Sequence, residues 1–211
     1  MLRLAQQCGV NAAESRIESV AGKDVILIKR FDREKTPDGY TRARMISGLT
    51  VLRAEEAPQT RTRWSYVLLA EELRRIVSAA KDDARELFRR ICFNALISNI
   101  DDHPRNHAFI APDQHWRLAP AYDLTPSPVV SQDRRDLAME CGDQGRFANA
   151  TNILSQHARF LLEREEAQKI IINMRDQVDK TWHDTATVCG VSTKDAETIR
   201  GAFVYPGFSR E

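Results

Sequence analysis

The chain contains 211 residues, of which 42% are hydrophobic and 29% charged, a composition that predicts a folded protein with a substantial core. The 31 basic and 30 acidic side chains give a formal net charge of +1, which argues against a dedicated nucleic-acid binder. The four cysteines form no C-x-x-C pair, which argues against a zinc site and favours reduced thiols. No apolar stretch is long enough to span a membrane, so we expect a cytoplasmic protein without a membrane partner.

The first part of the chain predicts a short helix followed by a β-hairpin. The helix begins at Met1 and ends near Gly9. Residues 17–20 and 25–28 then predict two strands that are joined by a turn at Gly22. Residues 34–62 are polar, and we expect them to be irregular apart from a turn at 36–39.

The middle and the end of the chain are mainly helical in pattern. A helix is expected from Trp64, and a second one, capped by Asp82, has a broad apolar side that predicts a position at the centre of the core. Two short strands follow at 107–110 and 115–118. Residues 129–148 predict a polar surface loop. A long helix carrying Phe160 to Trp182 and a last helix capped by Ser192 complete an α+β, predominantly helical fold.

One polar window has the spacing of a phosphotransfer site. Asp101 and Asn106 lie five positions apart, as do the Asp and Asn of the protein-kinase catalytic loop, and Asp123 follows the second strand of the next hairpin. In such a site the first Asp meets the attacking hydroxyl, while the Asn and the second Asp face Mg²⁺, which prefers oxygen ligands.

The Asp-to-Asn spacing alone is a weak signal, and two other interpretations stay open at this point. Asp-Asp-His-Pro is also an ordinary polar turn after a helix, since aspartate and proline are common in turns. Asp101, Asp102 and His103 are also residue types that form the metal cluster of a hydrolase, although the further ligands of such a cluster are not obvious in the sequence.

Residues 99–110 and 116–126 together resemble the HipA kinases of bacterial toxin–antitoxin systems. Residues 28–33, Ile-Lys-Arg-Phe-Asp-Arg, are similar to the hinge segment of that family. The resemblance implies the C-terminal lobe of a protein-kinase-like fold, with a small N-terminal β-hairpin. It divides the chain into residues 1–33, the hinge and a remnant of the N-terminal lobe, and residues 34–211, the helical catalytic domain.

The resemblance also implies a function, namely ATP- and Mg²⁺-dependent phosphorylation of a protein serine or threonine. The implied catalytic residues are Asp101, the base, and His103, which shapes the loop. Asn106 and Asp123 are the implied metal ligands and nucleotide contacts. The backbone of Lys29, Arg30 and Phe31 is expected to meet the adenine. The implied partners are a protein substrate, such as an aminoacyl-tRNA synthetase, and a small DNA-binding antitoxin, with no direct nucleic-acid contact.

The 211 residues contain neither G-x-G-x-x-G nor G-x-x-x-x-G-K, so no phosphate-binding loop of either kind is expected. We therefore expect this chain alone to transfer phosphate slowly or not at all, as a fragment or with another chain that supplies the missing lobe. A catalytically dead kinase remnant that acts as a protein-binding module is one alternative. A small-molecule phosphotransferase is another, although Asn99-Ile-Asp101 lacks the His-Gly-Asp context of those enzymes.

Overall fold

The computed structural model describes residues 1–56, 58–128 and 131–210. The helices are α1 (Leu2–Gln7), α2 (Gly48–Val51), α3 (Tyr66–Ile76), α4 (Ala80–Leu96), α5 (Ala150–Ser155), α6 (Arg164–Val188) and α7 (Thr193–Ile199). The strands are β1 (Ser15–Val20), β2 (Lys23–Ile28), β3 (Arg33–Thr36), β4 (Gly39–Arg42), β5 (Arg44–Ser47), β6 (Ala108–Ala111) and β7 (Arg117–Leu118). Across these ranges, no helix has both the length and the apolar character of a membrane span.

The N-terminal helix and hairpin occur as the sequence predicts. Helix α1 ends before Gly9, whose φ of +77° lies in the left-handed region that glycine adopts without strain. Strands β1 and β2 pair antiparallel from Ser15 opposite Ile28 to Val20 opposite Lys23. All twelve residues of this hairpin are exposed, because only a two-stranded sheet forms here and nothing in the described chain covers it.

The expectation of an irregular segment at 34–62 is wrong. Strands β3 and β4 form a second antiparallel hairpin, with the expected turn between Thr36 and Gly39. Strand β5 follows, and its residue Ser47 caps helix α2 by accepting a hydrogen bond from the Thr50 amide. The polar composition concealed these elements, because the strands are short and largely exposed and therefore lack the alternating apolar pattern of a half-buried sheet.

Helix α4 lies at the centre of the core, as its broad apolar side predicts. Its buried apolar residues pack together with those of α3, α6 and the C-terminal segment in one hydrophobic cluster. Asp82 does not cap this helix: Ala79 is the N-cap residue, and Asp82 lies in the first turn. An acidic side chain in the first turn interacts favourably with the positive end of the helix dipole, which explains why an aspartate occurs near the start of this helix without capping it.

A three-stranded antiparallel sheet carries the segments of the candidate site. Its order is β5-β6-β7, and the central strand β6 is buried at all four positions. Ile110 pairs with Met45 on one side and with Arg117 on the other. The sheet therefore fixes the two ends of the hairpin that separates Asn106 from Asp123.

The described part of the segment at 129–148 forms no helix or strand, as the predicted loop requires, but it does not lie on the surface throughout. Positions 129 and 130 lie outside the described residues, but Leu137, Met139 and Cys141 are fully buried in the main core. The Tyr66 amide donates to the carbonyl of Glu140, which ties this segment to the start of α3. The long C-terminal helix begins only at Arg164, and the last helix is capped by Ser192, as expected.

Candidate functional site

The loop that contains Asp101 starts where the central helix α4 ends. Ser98 adopts a left-handed conformation with φ of +54°, and the Asn99 amide donates to the carbonyl of Asn94. The Asp101 side chain is exposed, and its carboxylate has no hydrogen-bond or ion-pair partner within the described ranges. Its carbonyl accepts hydrogen bonds from the His103 amide at 2.8 Å and from Asn106 Nδ2 at 3.4 Å. The backbone therefore orders the loop and leaves the Asp101 carboxylate available.

The neighbouring carboxylate, Asp102, has the opposite environment. It is 1% exposed. Its Oδ2 accepts hydrogen bonds from the Tyr66 hydroxyl and, at 2.7 Å, from Asn94 Nδ2, and His107 Nε2 lies 2.8 Å away. Burial first, and then the charge of Asp102, raise the pKa of Tyr66 well above its usual value, so this hydroxyl remains a donor. Asp102 thus joins α3, α4 and the start of β6 beneath the loop, which argues against its service as a ligand in a hydrolase-type metal cluster.

Asp123 is brought to the same region by its neighbour. The Tyr122 hydroxyl donates to the carbonyl of Arg105 at 2.6 Å, which attaches the Asp123 segment to the loop that holds Asn106. Burial raises the pKa of Tyr122 to about 12; the Arg90 charge opposes this shift, and the Asp102 and Asp123 carboxylates add to it. Asp123 itself is exposed and has φ of +56°.

Two oxygen groups with the chemistry of magnesium ligands are available here. The Asp123 carboxylate has no hydrogen-bond or ion-pair partner among the described residues. Asn106 uses its Nδ2 to bind the loop, which leaves its Oδ1 free. Both are hard oxygen donors, and Mg²⁺ commonly uses only one or two protein oxygens in addition to phosphate and water. Within the described residues, no three His, Cys, Asp or Glu side chains come together in a group that could hold a metal. The metal roles of Asn106 and Asp123 remain predictions.

The hinge residues lie directly after strand β2. Lys29 is exposed, its Nζ is 3.0 Å from Glu14 Oε2, and its amide donates to the carbonyl of Glu14. Arg30 forms a two-fold contact with Asp32 at 2.7 and 2.6 Å, and the pKa of Asp32 is lowered mainly by this hydrogen bonding. Phe31 stacks on Tyr122 with ring centroids 5.7 Å apart. This stack connects the predicted adenine contact to the predicted metal ligand beside Tyr122.

His103 lies at the start of the turn that contains Asn106. It immediately precedes the 3-10 turn Pro104–Asn106, and its ring meets the edge of Trp64 with centroids 6.4 Å apart. Its Nδ1 is buried and has no hydrogen-bond partner in the described structure. These contacts fix the ring against the protein. The catalytic role of His103 stays a prediction.

Sequence reasoning did not find the residues that support the site. The buried cluster of Tyr66, Asn94, Asp102 and His107 lies under the loop, and its only sequence signal is the doubled aspartate, which does not say which carboxylate faces inward. The Phe31–Tyr122 stack was missed as well. Its signal was an aromatic residue at the end of the implied adenine-binding segment and another directly before Asp123.

Comparison with known proteins places the chain among kinase-related sequences. The family model for the HipA-like C-terminal domain matches residues 1–182. A protein of Sinorhizobium fredii that is named as a kinase, Y4mE, is 25% identical over 157 residues, covering 70% of this chain and 36% of that protein. A kinase-named protein of Haemophilus influenzae is 25% identical over 173 residues, covering 76% of this chain and 50% of that protein. The chain therefore spans half or less of the length of these two relatives.

Two solved structures share the fold. HipA of Shewanella oneidensis, solved in a toxin–antitoxin complex with HipB and operator DNA, aligns with a TM-score of 0.72 and 18% identity over 95% of this chain and 51% of that one. The proinflammatory kinase CtkA of Helicobacter pylori aligns with a TM-score of 0.54 and 13% identity over 98% of this chain and 82% of that one. These matches confirm the expected α+β, kinase-like fold.

Proposed function

Since the chain belongs to the HipA-like C-terminal domain family, we propose that it carries the catalytic loop and metal-binding half of an ATP-dependent serine/threonine protein kinase. The observation that carries this proposal is the contrast between two adjacent aspartates. Asp102 is buried and its Oδ2 contacts three polar groups, whereas Asp101 is exposed, in an ordered loop, with a carboxylate that has no partner among the described residues. A general base needs a carboxylate that is free to accept a proton and that is held in a fixed position.

In this proposal the nucleotide lies between the hinge and the Asp123 segment. The Lys29 amide is already bonded to Glu14, so the groups left for an adenine edge are the Lys29 carbonyl and the amides and carbonyls of Arg30 and Phe31, which have no backbone partner in the described chain. Asn106 Oδ1 and the Asp123 carboxylate would hold Mg²⁺, which would neutralise phosphate charge there. Asp101 accepts the proton of the attacking serine or threonine hydroxyl, and His103 holds the loop in place.

Two partners belong to this proposal. We propose a protein substrate because the proposed activity is that of a protein kinase, and a small antitoxin protein because the HipA neighbour was solved with HipB and operator DNA. A protein-binding module is a second candidate function, and the exposed β1–β2 hairpin is the observation that favours it. Ile17 and Ile26 pair across this hairpin, and their side chains are 51% and 57% exposed.

The test separates binding from transfer in the 211-residue chain. Mg²⁺-ATP binding is measured by calorimetry and by ligand-observed NMR, and transfer by radiolabel from γ-labelled ATP. Asp123→Asn should weaken Mg²⁺-nucleotide binding by at least about tenfold, because even outer partners of metal ligands contribute about 10–100-fold. Asp101→Asn should leave binding unchanged and lower any transfer by about 10²–10⁴-fold, the usual contribution of a general base.

The matched control is Asp113→Asn, an exposed aspartate in the turn between β6 and β7. It should change neither measurement. Nucleotide binding that is absent, or that is indifferent to Asp123, would contradict the kinase proposal and favour the binding module. Transfer that survives Asp101→Asn would remove Asp101 from the role of base.

A further inference from the structure

Three charged residues of helix α4 bind the backbone of segments that lead to the candidate site. They are Asp83, Glu86 and Arg90, spaced three and four positions apart, so they lie on one face of the helix. Asp83 Oδ2 accepts from the Leu118 amide at 3.2 Å. The other two form an ion pair with 3.0 Å between Arg90 Nε and Glu86 Oε1, and both are buried, at 2% and 8% exposure.

The ion pair holds two segments at once. Glu86 Oε1 accepts from the Asn11 amide at 3.0 Å, while Arg90 Nη2 donates to the carbonyl of Ala119 at 2.6 Å and reaches the carbonyl of Asn11 at 3.4 Å. Asn11 belongs to the segment that runs into the β1–β2 hairpin and the hinge. Ala119 belongs to the segment that runs from β7 to Asp123.

The two segments are also bonded to each other next to the ion pair. Ala12 and Ala121 form a parallel β-bridge, in which the Ala13 amide donates to Ala121 at 2.9 Å and the Ala121 amide donates to Asn11 at 2.7 Å. The Arg90 charge also acts on Tyr122, the residue that stacks on Phe31. The ion pair, the bridge and the stack therefore form a continuous connection between the hinge and Asp123.

We propose that Glu86 and Arg90 are positioning residues that set the distance between the hinge end and the metal end of the nucleotide site. This inference rests on the proposed function. The physical reason is that a buried ion pair is a poor source of stability, since desolvation offsets most of its attraction, whereas its geometry fixes how the groups around it are arranged. A nucleotide that contacts both the hinge and the metal ligands needs a fixed distance between them, whereas a ligand that contacts only the hinge does not.

The experiment uses the 211-residue chain and compares adenosine, which would contact only the hinge, with Mg²⁺-ADP, which would contact the hinge and the metal ligands. The double variant Glu86→Gln/Arg90→Met removes both charges while keeping similar volumes, which avoids leaving one charge buried alone. The matched control is Arg89→Met, which removes an arginine that also contacts Glu86, at 3.3 Å, but is not bonded to either segment. Adenosine and Mg²⁺-ADP affinities are measured by ligand-observed NMR. Hydrogen exchange is followed at the amides of Ala13 and Ala121.

Positioning predicts a specific pattern in the double variant. Mg²⁺-ADP affinity should fall by about tenfold or more, the loss that is usual when a residue that orients a metal ligand is removed. Adenosine affinity should stay within about twofold of the wild-type value. The Ala13 and Ala121 amides should exchange faster, and Arg89→Met should change none of these values. A folded double variant with unchanged Mg²⁺-ADP affinity would overturn the proposal, and so would equal losses for both ligands.

Failure of the proposed function gives a different result. In that case wild-type chain would bind neither adenosine nor Mg²⁺-ADP, and no positioning of a nucleotide would remain to be explained. If the double variant does not fold, the single variant Arg90→Lys, which keeps both charges but loses the planar fork that reaches Glu86 and Ala119 together, provides the same comparison. Under positioning it should show a smaller loss of Mg²⁺-ADP affinity with adenosine unchanged; no loss would again overturn the proposal.

Discussion

Replacing Asp102 by alanine should lower the free energy of unfolding by about 3–5 kcal/mol, whereas Asp101→Ala should change it by no more than about 0.5 kcal/mol. The two residues are adjacent in sequence and identical in chemistry. They differ only in what surrounds them: Asp102 is 1% exposed and Asp101 is exposed. The pair therefore tests whether burial, rather than residue type, decides the energetic role.

The magnitude comes from the donors that Asp102 satisfies. Its loss would leave the Tyr66 hydroxyl and Asn94 Nδ2 without their acceptor, together with His107 Nε2. An unsatisfied buried donor costs about 1–3 kcal/mol, and three of them set an upper limit of roughly 9 kcal/mol. Partial relaxation and entry of water reduce the total, as measured losses for broken buried networks indicate, to about 3–5 kcal/mol.

The measurement is urea unfolding of both variants followed by circular dichroism, with the free energy taken from the midpoint and slope. A similar slope in all three proteins would show that the compared states are the same. The loss expected for Asp102→Ala is a large fraction of the ~5–15 kcal/mol that stabilises a typical domain. A loss below about 1 kcal/mol for Asp102→Ala, or equal losses for the two variants, would refute the assignment of Asp102 as the residue that supports the loop.

Three further outcomes are expected. Burial raises the pKa of the Asp83 carboxyl, so its contribution to stability is present below the unfolded pKa and is lost as the pH rises through the folded pKa. Urea midpoints should therefore show that the wild type gains stability relative to Asp83→Asn as the pH falls from about 7 to about 4. Gly142→Ala should destabilise the chain by about 1–3 kcal/mol or more, because the new Cβ would lie 1.9 Å from a carbonyl oxygen of α5, whereas Gly201→Ala, which meets nothing within 4 Å, should not. Cys92 and Cys141 are fully buried, and burial raises the pKa of Cys141 to about 12, so mass spectrometry should find both alkylated only after unfolding.

The parts of the fold that the sequence predicted are those with a strong local pattern. The apolar side of α4 repeats at helical spacing over several turns, and its position at the centre of the core follows from that breadth. The β1–β2 hairpin was recognised because Gly22 marks the turn between two apolar runs. The final helix was recognised from the Ser192 cap, whose Oγ accepts from the Asp195 amide.

The parts that the sequence did not predict depend on contacts between distant segments. Strand β5 is only four residues long, too short for a clear alternating pattern, and forms because buried β6 supplies a pairing partner. The segment that follows Asp123 reads as polar, yet it buries Leu137 and Met139 because the start of α3 and the C-terminal residues close over it. Likewise, no local pattern distinguishes Asp101 from Asp102, since the difference lies in three donors that come from elsewhere in the chain.

The parallel bridge between Ala12 and Ala121 has a consequence for the order of folding. Helices α3 and α4 and the strands β6 and β7 are close in sequence and can form early, because short loops close at low entropic cost. The N-terminal segment instead binds residues that are distant in sequence: the Asn11 carbonyl accepts from the Ala121 amide and from Arg90, which also donates to Ala119, and Gln7 accepts a hydrogen bond from Thr185. Residues 7–13 are synthesised before the segments that they bind, so Asn11 cannot bond to Ala121 until β7 and the residues after it have been made, and Gln7 cannot bond to Thr185 until α6 has been made. The hinge can therefore reach its position relative to Asp123 only after the segment from β7 to Asp123 exists.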